Sequence, residues 1–537
     1  MFLGAIFISM AIIPVMIRLA PALDMVDRPD PRKVHALPVA RVGGIGIVIG
    51  SLVSIALWVP VDHTIAAYLF GSAVLLLFGA WDDCRELGHY VKFIGQFIAA
   101  ISVVYWGDVW VSAFQFLSTE LPESVGKPFT VFAIVGMVNA INHSDGLDGL
   151  AAGESLLSLG CIAYLAYRAE GFVLTAMAVA VLGGLFGFLR FNTHPAQVFM
   201  GDSGSQFLGF TLGVLAVLLT QQVNRGLSMA LPALILGLPI IDILAVFAQR
   251  VYHRMNWFRA TKNHIHHRLL QLGFHHYQAV VIIYSIQAFF VAGALLLRYE
   301  SDALVASVYL GVCTLIFTLL TTAEHSGWKV GHHAVRRVTR IVDALKTHQF
   351  FVRGPMLVVA VAVPVYFVLS ALSIEEVPRD FALAATAFGA VLVFGLIWRR
   401  LTLSRYLIRL AVYGMATVLT YLVVSSSQGS SAFVTLEIVF FVGLAAAIAI
   451  AVRYGRDIEF RTTTTDYLII FLVTATALLQ PQTLQKYGLG LVVMEVVILL
   501  YGSELIVNLR DRRQSALLFV SVLSASIVLI SKGLVMV

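Results

Sequence analysis

Phe70-Gly71-Ser72-Ala73-Val74-Leu75-Leu76-Leu77-Phe78-Gly79-Ala80-Trp81-Asp82-Asp83 is an uncharged, mostly apolar run that ends abruptly in two adjacent carboxylates. Such a run belongs in hydrocarbon. The carboxylates repel one another and resist desolvation, so they belong at its boundary, beside water, a metal ion or a substrate cation. Outward from this stretch the pattern repeats: apolar runs near the roughly 20 residues needed to cross a bilayer recur along the chain, joined by short polar connections. The 537 residues are 59% hydrophobic and 12% charged, too apolar for a water-soluble globule and too hydrophobic for disorder. The fold class is therefore an all-α polytopic integral membrane protein of about 18 spans, with about 11 in an N-terminal bundle and about 7 in a C-terminal one.

The run Phe2 to Leu19 has no basic start, and its nearest charge, Arg18, lies at the far end. It reads as the first membrane helix, with its N-terminus outside, and not as a signal peptide. Alternating sides from there puts most of the Lys and Arg on one face, which the positive-inside rule makes cytoplasmic. The acidic motifs fall on that same face. Residues 1–322 hold the unusual polar motifs, and residues 323–354 form a basic linker. In that linker Arg336, Arg337 and Arg340 interleave with Val335, Val338 and Ile341, which suits an amphipathic helix on anionic headgroups as well as a solvated connection. Residues 355–537 read as a further membrane module with plain basic loops and no polar cluster of the kind a second active site needs. Cys84, Cys161 and Cys313 lack paired spacing, which excludes a disulfide framework or a zinc knuckle.

Within the first part, the loop from Asp27 to Gly46 is interrupted by prolines and ends in Gly43-Gly44, where backbone can approach another group closely. Its Lys33, His35 and Arg41 make it a candidate anion-binding loop. Lys92 follows Asp82-Asp83 closely enough to snorkel back to the same headgroup level and meet a phosphate. Asn142, Asp145 and Asp148 recur at a spacing that directs them to one side of a turn, with Gly146 and Gly149 giving clearance. Amide plus carboxylate suits Mg²⁺ together with a diphosphate. Asn192 opens a segment leading to Met200-Gly201-Asp202-Ser203-Gly204, where Asp202, between glycines at the start of a span and with no basic neighbour in sequence, is the leading metal-ligand candidate. His264, His266, His267 and Arg268 form a cationic loop better suited to phosphate than to zinc, since no Cys or Glu-x-x-His partner accompanies them. Asp242, inside a span, should face the site or pair with a cation such as Arg250.

Together these residues resemble the polyprenyl-phosphate N-acetylhexosamine-1-phosphate transferase family, whose superfamily also contains the phospho-MurNAc-pentapeptide translocase. The resemblance covers about residues 1–322 and rests on motifs in the family's order: Arg32-Lys33-x-His35 with Pro38-x-x-Arg41-x-Gly43-Gly44; Asp82-Asp83; Asn142-x-x-Asp145-Gly146-x-Asp148-Gly149; Phe199-Met200-Gly201-Asp202-x-Gly204-Ser205; and His264-Ile265-His266-His267. The last looks more like the branch that uses UDP-linked N-acetylhexosamine, typified by N-acetylglucosamine, than like the peptidoglycan enzyme, which is the alternative. His143 departs from the family's apolar residue, and the helices after residue 355 exceed its usual length.

The resemblance implies transfer of a sugar 1-phosphate from a UDP-sugar to a polyprenyl phosphate such as undecaprenyl phosphate, giving UMP, at the cytoplasmic face of a bacterial inner membrane. It implies Mg²⁺, replaceable by Mn²⁺, held by Asp202 and Asp145. Asp82 or Asp83 would orient or deprotonate the acceptor, Asn142, Asp145 and Asp148 would hold nucleotide and metal, and His264, His266 and His267 would steady the diphosphate. A homodimer and docking of downstream glycosyltransferases are compatible with it, and no nucleic-acid partner is implied. The rival of another class, a lipid flippase or transporter, predicts polar residues near mid-bilayer and repeat symmetry, whereas the motifs sit at the boundary.

Overall fold

A computed structural model describes residues 1–28, 38–85, 87–113, 120–255, 263–330, 349–398, 404–426, 431–454, 489–507 and 512–534. Lys33, His35 and most of the basic linker lie outside these. The chain divides into two compact units, residues 1–330 with 463–468, and residues 331–462 with 469–537. Among the described residues, eleven helices are long and apolar enough to cross a membrane, with shorter apolar helices at Gly4–Leu19, Gly43–Trp58 and Val439–Ile448.

The first unit contains α1 (Phe2–Leu19), α2 (Gly43–Trp58), α3 (His63–Arg85), α4 (His89–Ile101), α5 (Glu123–Ser144), α6 (Leu150–Arg168), α7 (Phe172–Asn192), α8 (Gly201–Leu218), the short α9 (Leu231–Ile235), α10 (Gly237–Tyr252), α11 (Ile265–Gln271), α12 (His276–Leu297) and α13 (Asp302–His325). Two short strands, β1 (Val26–Asp27) and β2 (Val39–Ala40), pair antiparallel.

Helix α8 lies at the centre, with the whole apolar window of its span buried. Glycines set how closely its neighbours approach. A Cβ on Gly44 would lie 2.2 Å from the Gly204 amide nitrogen, one on Gly79 would lie 2.4 Å from the Ser203 Cα, and one on Gly209 would lie 2.5 Å from the Val138 Cα. Helices α2, α3 and α5 therefore touch α8 nearly backbone to backbone, and the start of α8 is gathered among the C-terminal ends of α3 and α5. The glycines that sequence reading assigned to close approach do serve it, toward another helix.

Inside the bilayer, backbone groups freed by a helix break need protein partners. Between α9 and α10 Gln287 supplies them: its side chain accepts from the Leu238 N–H at 3.0 Å and donates to the Ile235 carbonyl at 2.8 Å. Tyr309 donates to the Gly237 carbonyl at 2.9 Å.

The second unit contains α14 (Gln349–Ser373), α15 (Arg379–Ile397), α16 (Ser404–Ser426), α17 (Ser431–Tyr454), α18 (Leu489–Val507) and α19 (Arg512–Leu534). Its core includes Phe367, Leu419, Phe441, Leu499 and Leu529. One expectation is corrected here. The spans of this unit are not free of polar clusters, because Glu437 and Glu495 are buried within them.

Candidate active site

The site is built where α3 and α5 end and α4 and α8 begin. Helix α8 starts with unsatisfied N–H groups. Both oxygens of Asp83, at the end of α3, accept them: Asp202 N–H at 2.8 Å and Ser203 N–H at 3.1 Å. Gly201 adopts φ +73°, and a Cβ there would lie 2.6 Å from the Asp83 carboxylate, so only glycine lets this cap close. Asp83 thus anchors α8.

The neighbouring Asp82 faces a different partner. Lys92, in the first turn of α4, places its Nζ 2.7 Å from Asp82 Oδ2 and 2.7 Å from Asp202 Oδ2. Its ammonium bridges the two carboxylates. No basic residue stands near Asp202 along the chain, and the expectation that it is unpaired is corrected by the fold, which brings Lys92 to it from α4. Asn142, in the last turn of α5, donates to Asp202 Oδ1 at 3.0 Å and to Ser205 Oγ at 2.9 Å. A polar ladder continues inward from here. Asn139 donates to Gln96 Oε1 at 2.8 Å, and Gln206 reaches Asp202 Oδ2 at 3.4 Å. Gln96 and Gln206 were missed at the sequence level. Gln206 does carry a signal, since it stands one helical turn after Asp202 on the same face.

Asp145 follows α5 directly. Burial, with the charges of Asp202 and Asp148 nearby, pushes its carboxyl up to about 7. The shared side expected of Asn142, Asp145 and Asp148 is not kept. Asp148 turns to His194, 2.6 Å from its Nδ1, and accepts the Ala196 N–H at 3.1 Å. Asp148, His194 and His276 present possible ligand atoms within 4.8 Å of one another. Their two imidazoles, however, are stacked with centroids 4.2 Å and planes 22° apart. Lone pairs lie in the ring planes, so stacked rings do not direct both at one ion, and the trio is read as a clasp.

Two further expected binding residues turn out to be struts. Asn192 accepts the Gly149 N–H at 2.8 Å and donates to the Val198 carbonyl at 2.8 Å, so its amide is consumed by backbone. Arg268 is buried and gives Glu324 a two-point contact, Nε at 2.7 Å and Nη2 at 2.8 Å, with Thr321 Oγ1 at 3.0 Å. A guanidinium held this way braces α11 against α13. Arg41 pairs with Asp27 across the strand pair. The chain beyond it is tied to the α8 motif, since Gly43 N–H donates to the Phe199 carbonyl at 3.0 Å and Gly44 N–H to that of Met200 at 2.8 Å.

The histidine loop meets the Asn142–Gly149 motif. His266 is 3% exposed, and a Cβ on Gly146 would lie 2.3 Å from its Nε2. Burial, reinforced by the charge of His267, pushes the His266 imidazole down to about 3, so this ring serves as a neutral hydrogen-bonding group. Asp242 receives His264 Nδ1 at 2.8 Å and the Ile265 N–H at 2.9 Å, which orients the ring, caps α11 and places this carboxylate, expected to face the site or to pair with a cation such as Arg250, against the histidine loop. His143, the departure from the family pattern, stacks on His264 with centroids 5.3 Å apart and joins the two motifs.

Helix ends that carry an ammonium-bridged pair of carboxylates, an amide and a histidine loop at the boundary of a membrane bundle define an integral-membrane enzyme built around anionic and cationic groups. The chain belongs to the polyprenyl-phosphate N-acetylhexosamine-1-phosphate transferase family, and residues 65–220 match the model for glycosyl transferase family 4. It is 34% identical over 330 residues to a Bacillus subtilis (strain 168) protein named as a probable undecaprenyl-phosphate N-acetylglucosaminyl 1-phosphate transferase, a match covering 61% of this chain and 91% of that one. It is 30% identical over 336 residues to the decaprenyl-phosphate N-acetylglucosaminephosphotransferase of Mycobacterium leprae (strain TN), covering 56% and 84%. It is 28% identical over 334 residues to the undecaprenyl-phosphate alpha-N-acetylglucosaminyl 1-phosphate transferase of Escherichia coli (strain K12), covering 60% and 89%.

Proposed function

We propose that this protein transfers N-acetylglucosamine 1-phosphate from its UDP conjugate to undecaprenyl phosphate, releasing UMP at the cytoplasmic face of a bacterial inner membrane. The observation that carries the reading is the Asp82–Lys92–Asp202 bridge at the membrane boundary, in a chain of this family. The about 18 spans with both termini outside belong to the same proposal.

The groups around Asp202 able to ligate an ion are the carboxylate oxygens of Asp82, Asp145 and Asp202 itself, which fit Mg²⁺ or Mn²⁺ and disfavour softer metals, while Lys92 and Asn142 turn nitrogen donors toward Asp202. Asp202, with Asp145 beside it, would hold the ion, which when bound offsets the charge of the diphosphate. Asp82 is the carboxylate left to orient the acceptor phosphate, since Asp83 is committed to α8. A phosphate monoester is already largely ionised near neutrality, so orientation is its main task. Lys92 holds Asp82 and Asp202 together and offers positive charge to a phosphoryl oxygen. Asn142 fixes the Asp202 rotamer, and His266 donates one neutral hydrogen bond to the diphosphate.

The test is direct. Membranes carrying the full chain, given UDP-N-acetylglucosamine and undecaprenyl phosphate, should form UMP, and a panel of other UDP-sugars should serve less well. No UMP with any of them overturns the reading. Chelation should silence the activity, with Mg²⁺ or Mn²⁺ restoring it; turnover unchanged in excess chelator removes the metal from the scheme.

His266→Ala or His267→Ala should raise the KM for UDP-sugar about tenfold without altering the zinc content of the purified protein. Stoichiometric zinc that disappears in these variants would show a metal centre in the histidine loop. The match takes up 91% of the Bacillus relative but 61% of this chain, so about two-fifths of the chain lies outside it. A chain ended in the linker before Arg353 should insert and still produce UMP at a rate within about twofold of the full protein. A folded but inert truncation would assign the second unit a share of the active site.

A further inference from the structure

Within the second unit, Glu495 of α18 is 0% exposed and Glu437 of α17 is 7% exposed. Both carboxylate oxygens of Glu495 lack a hydrogen-bond partner among the described residues. The two carboxylates lie close enough to repel each other's charge. Tyr366 of α14 lies within reach of the charge of both. It is 9% exposed; among the described residues neither its hydroxyl nor that of Thr420 on α16 makes a hydrogen bond of good geometry, although the Thr420 and Ser370 hydroxyls stand beside the phenol. Tyr366 is fixed in place by rings one turn beyond Glu437, stacking on Phe440 at 5.8 Å and meeting Phe441 edge-on at 5.2 Å.

The same helix shows how this unit treats a carboxylate that has only a structural task. Glu504, further along α18, is paired with Arg409 at 2.7 Å and receives the Tyr413 hydroxyl. Lys532 is likewise committed, to the Ala371 and Leu372 carbonyls at 3.1 and 2.8 Å. Among the described residues the Glu437–Glu495 pair has no such cation, although an uncompensated carboxylate inside a membrane is costly and marks an ion pathway or site. The side chains the structure places with it, Tyr366 and Thr420, offer hydroxyl oxygens, and carboxylate with hydroxyl oxygen is the set preferred by hard alkali or alkaline-earth ions.

We propose that the C-terminal unit binds a hard metal cation between α14, α16, α17 and α18, with Glu437 and Glu495 as charged ligands and the Tyr366 and Thr420 hydroxyls as neutral ones. Without the cation, a proton on the pair takes its place. The site is separate from the transfer chemistry.

The experiment uses the purified full-length protein in detergent and dicyclohexylcarbodiimide, an apolar reagent for protonated carboxyls in apolar surroundings. The carboxyl proton passes to a carbodiimide nitrogen, the carboxylate oxygen bonds to the central carbon, and an oxygen-to-nitrogen acyl shift leaves a stable N-acylurea that peptide mass spectrometry locates. In buffer whose only cation is N-methylglucamine, Glu495 should be labelled, and at least one of Na⁺, K⁺, Mg²⁺ or Ca²⁺ should slow labelling about tenfold. Glu437→Gln should keep the label at Glu495 and lose that protection. Glu495→Gln should abolish this label, elute as the native protein does and form UMP at the wild-type rate. Equal labelling in all salts, or no labelling in any, overturns the proposal.

Discussion

Asp202→Asn is expected to lose at least nine-tenths of UMP-forming turnover, more than about 1.4 kcal/mol of transition-state stabilisation, while the protein stays folded. The two halves of this expectation have separate physical origins. Folding is spared because Asp202 does not cap its own helix; Asp83 does so, through the Asp202 and Ser203 N–H groups. Those bonds use the Asp202 backbone and survive the substitution. Turnover is not spared, because the amide keeps the size of the carboxylate but loses the charge that attracts Lys92 and would attract a metal ion. Its NH₂ group could also turn toward the Lys92 ammonium, donor facing donor. Asp83→Ala is the informative contrast. It should lower stability by about 2 kcal/mol, the scale of hydrogen bonds to a charged group, and any activity loss should follow the fraction unfolded. A well-folded Asp202→Asn protein retaining more than about a tenth of wild-type turnover would remove Asp202 from the centre of the site.

The membrane class was legible because an apolar run ended by Asp82-Asp83 has only one comfortable solvent. The site's motifs were legible through their residue types and order. Their division of labour was not. Asp83, Asp148, Asn192 and Arg268 look as functional in sequence as Asp82, Asp202, Asn142 and His266, because a carboxylate, amide or guanidinium that binds a phosphate or metal can equally satisfy a backbone N–H or brace a helix. Which task it takes depends on what the fold brings opposite. Lys92 and Asp202 are 110 positions apart, beyond the reach of any local spacing rule. Glu437 and Glu495 escaped for another reason: one carboxylate hardly changes the hydropathy of a window of membrane length, so each was absorbed into a span. Packing of α14 by α17 and α18 then makes them a pair.

Lys92→Met is expected to reduce turnover about a hundredfold, the loss typical when one positioned charge or donor is taken from a phosphoryl or oxyanion site. The substitution keeps the length of the aliphatic stem, so α4 should pack as before. It removes the ammonium that stands 2.7 Å from both Asp82 and Asp202. Those carboxylates then face each other uncompensated beside Asp145, and their repulsion has opposite consequences for two measurable quantities. A divalent ion becomes the only compensation available, so the Mg²⁺ concentration giving half-maximal residual activity should fall severalfold. Turnover should nevertheless drop, since the acceptor-orienting Asp82 loses the partner that fixes its position. Lys92→Arg should recover little, because a planar guanidinium does not fill the point-like position of an ammonium between two oxygens. A role limited to helix packing predicts that Lys92→Met and Lys92→Arg both leave the Mg²⁺ dependence where it was. A Lys92→Met enzyme with more than about a tenth of wild-type turnover, or with unchanged or weakened Mg²⁺ dependence, would show that the bridge is not what holds this site in register.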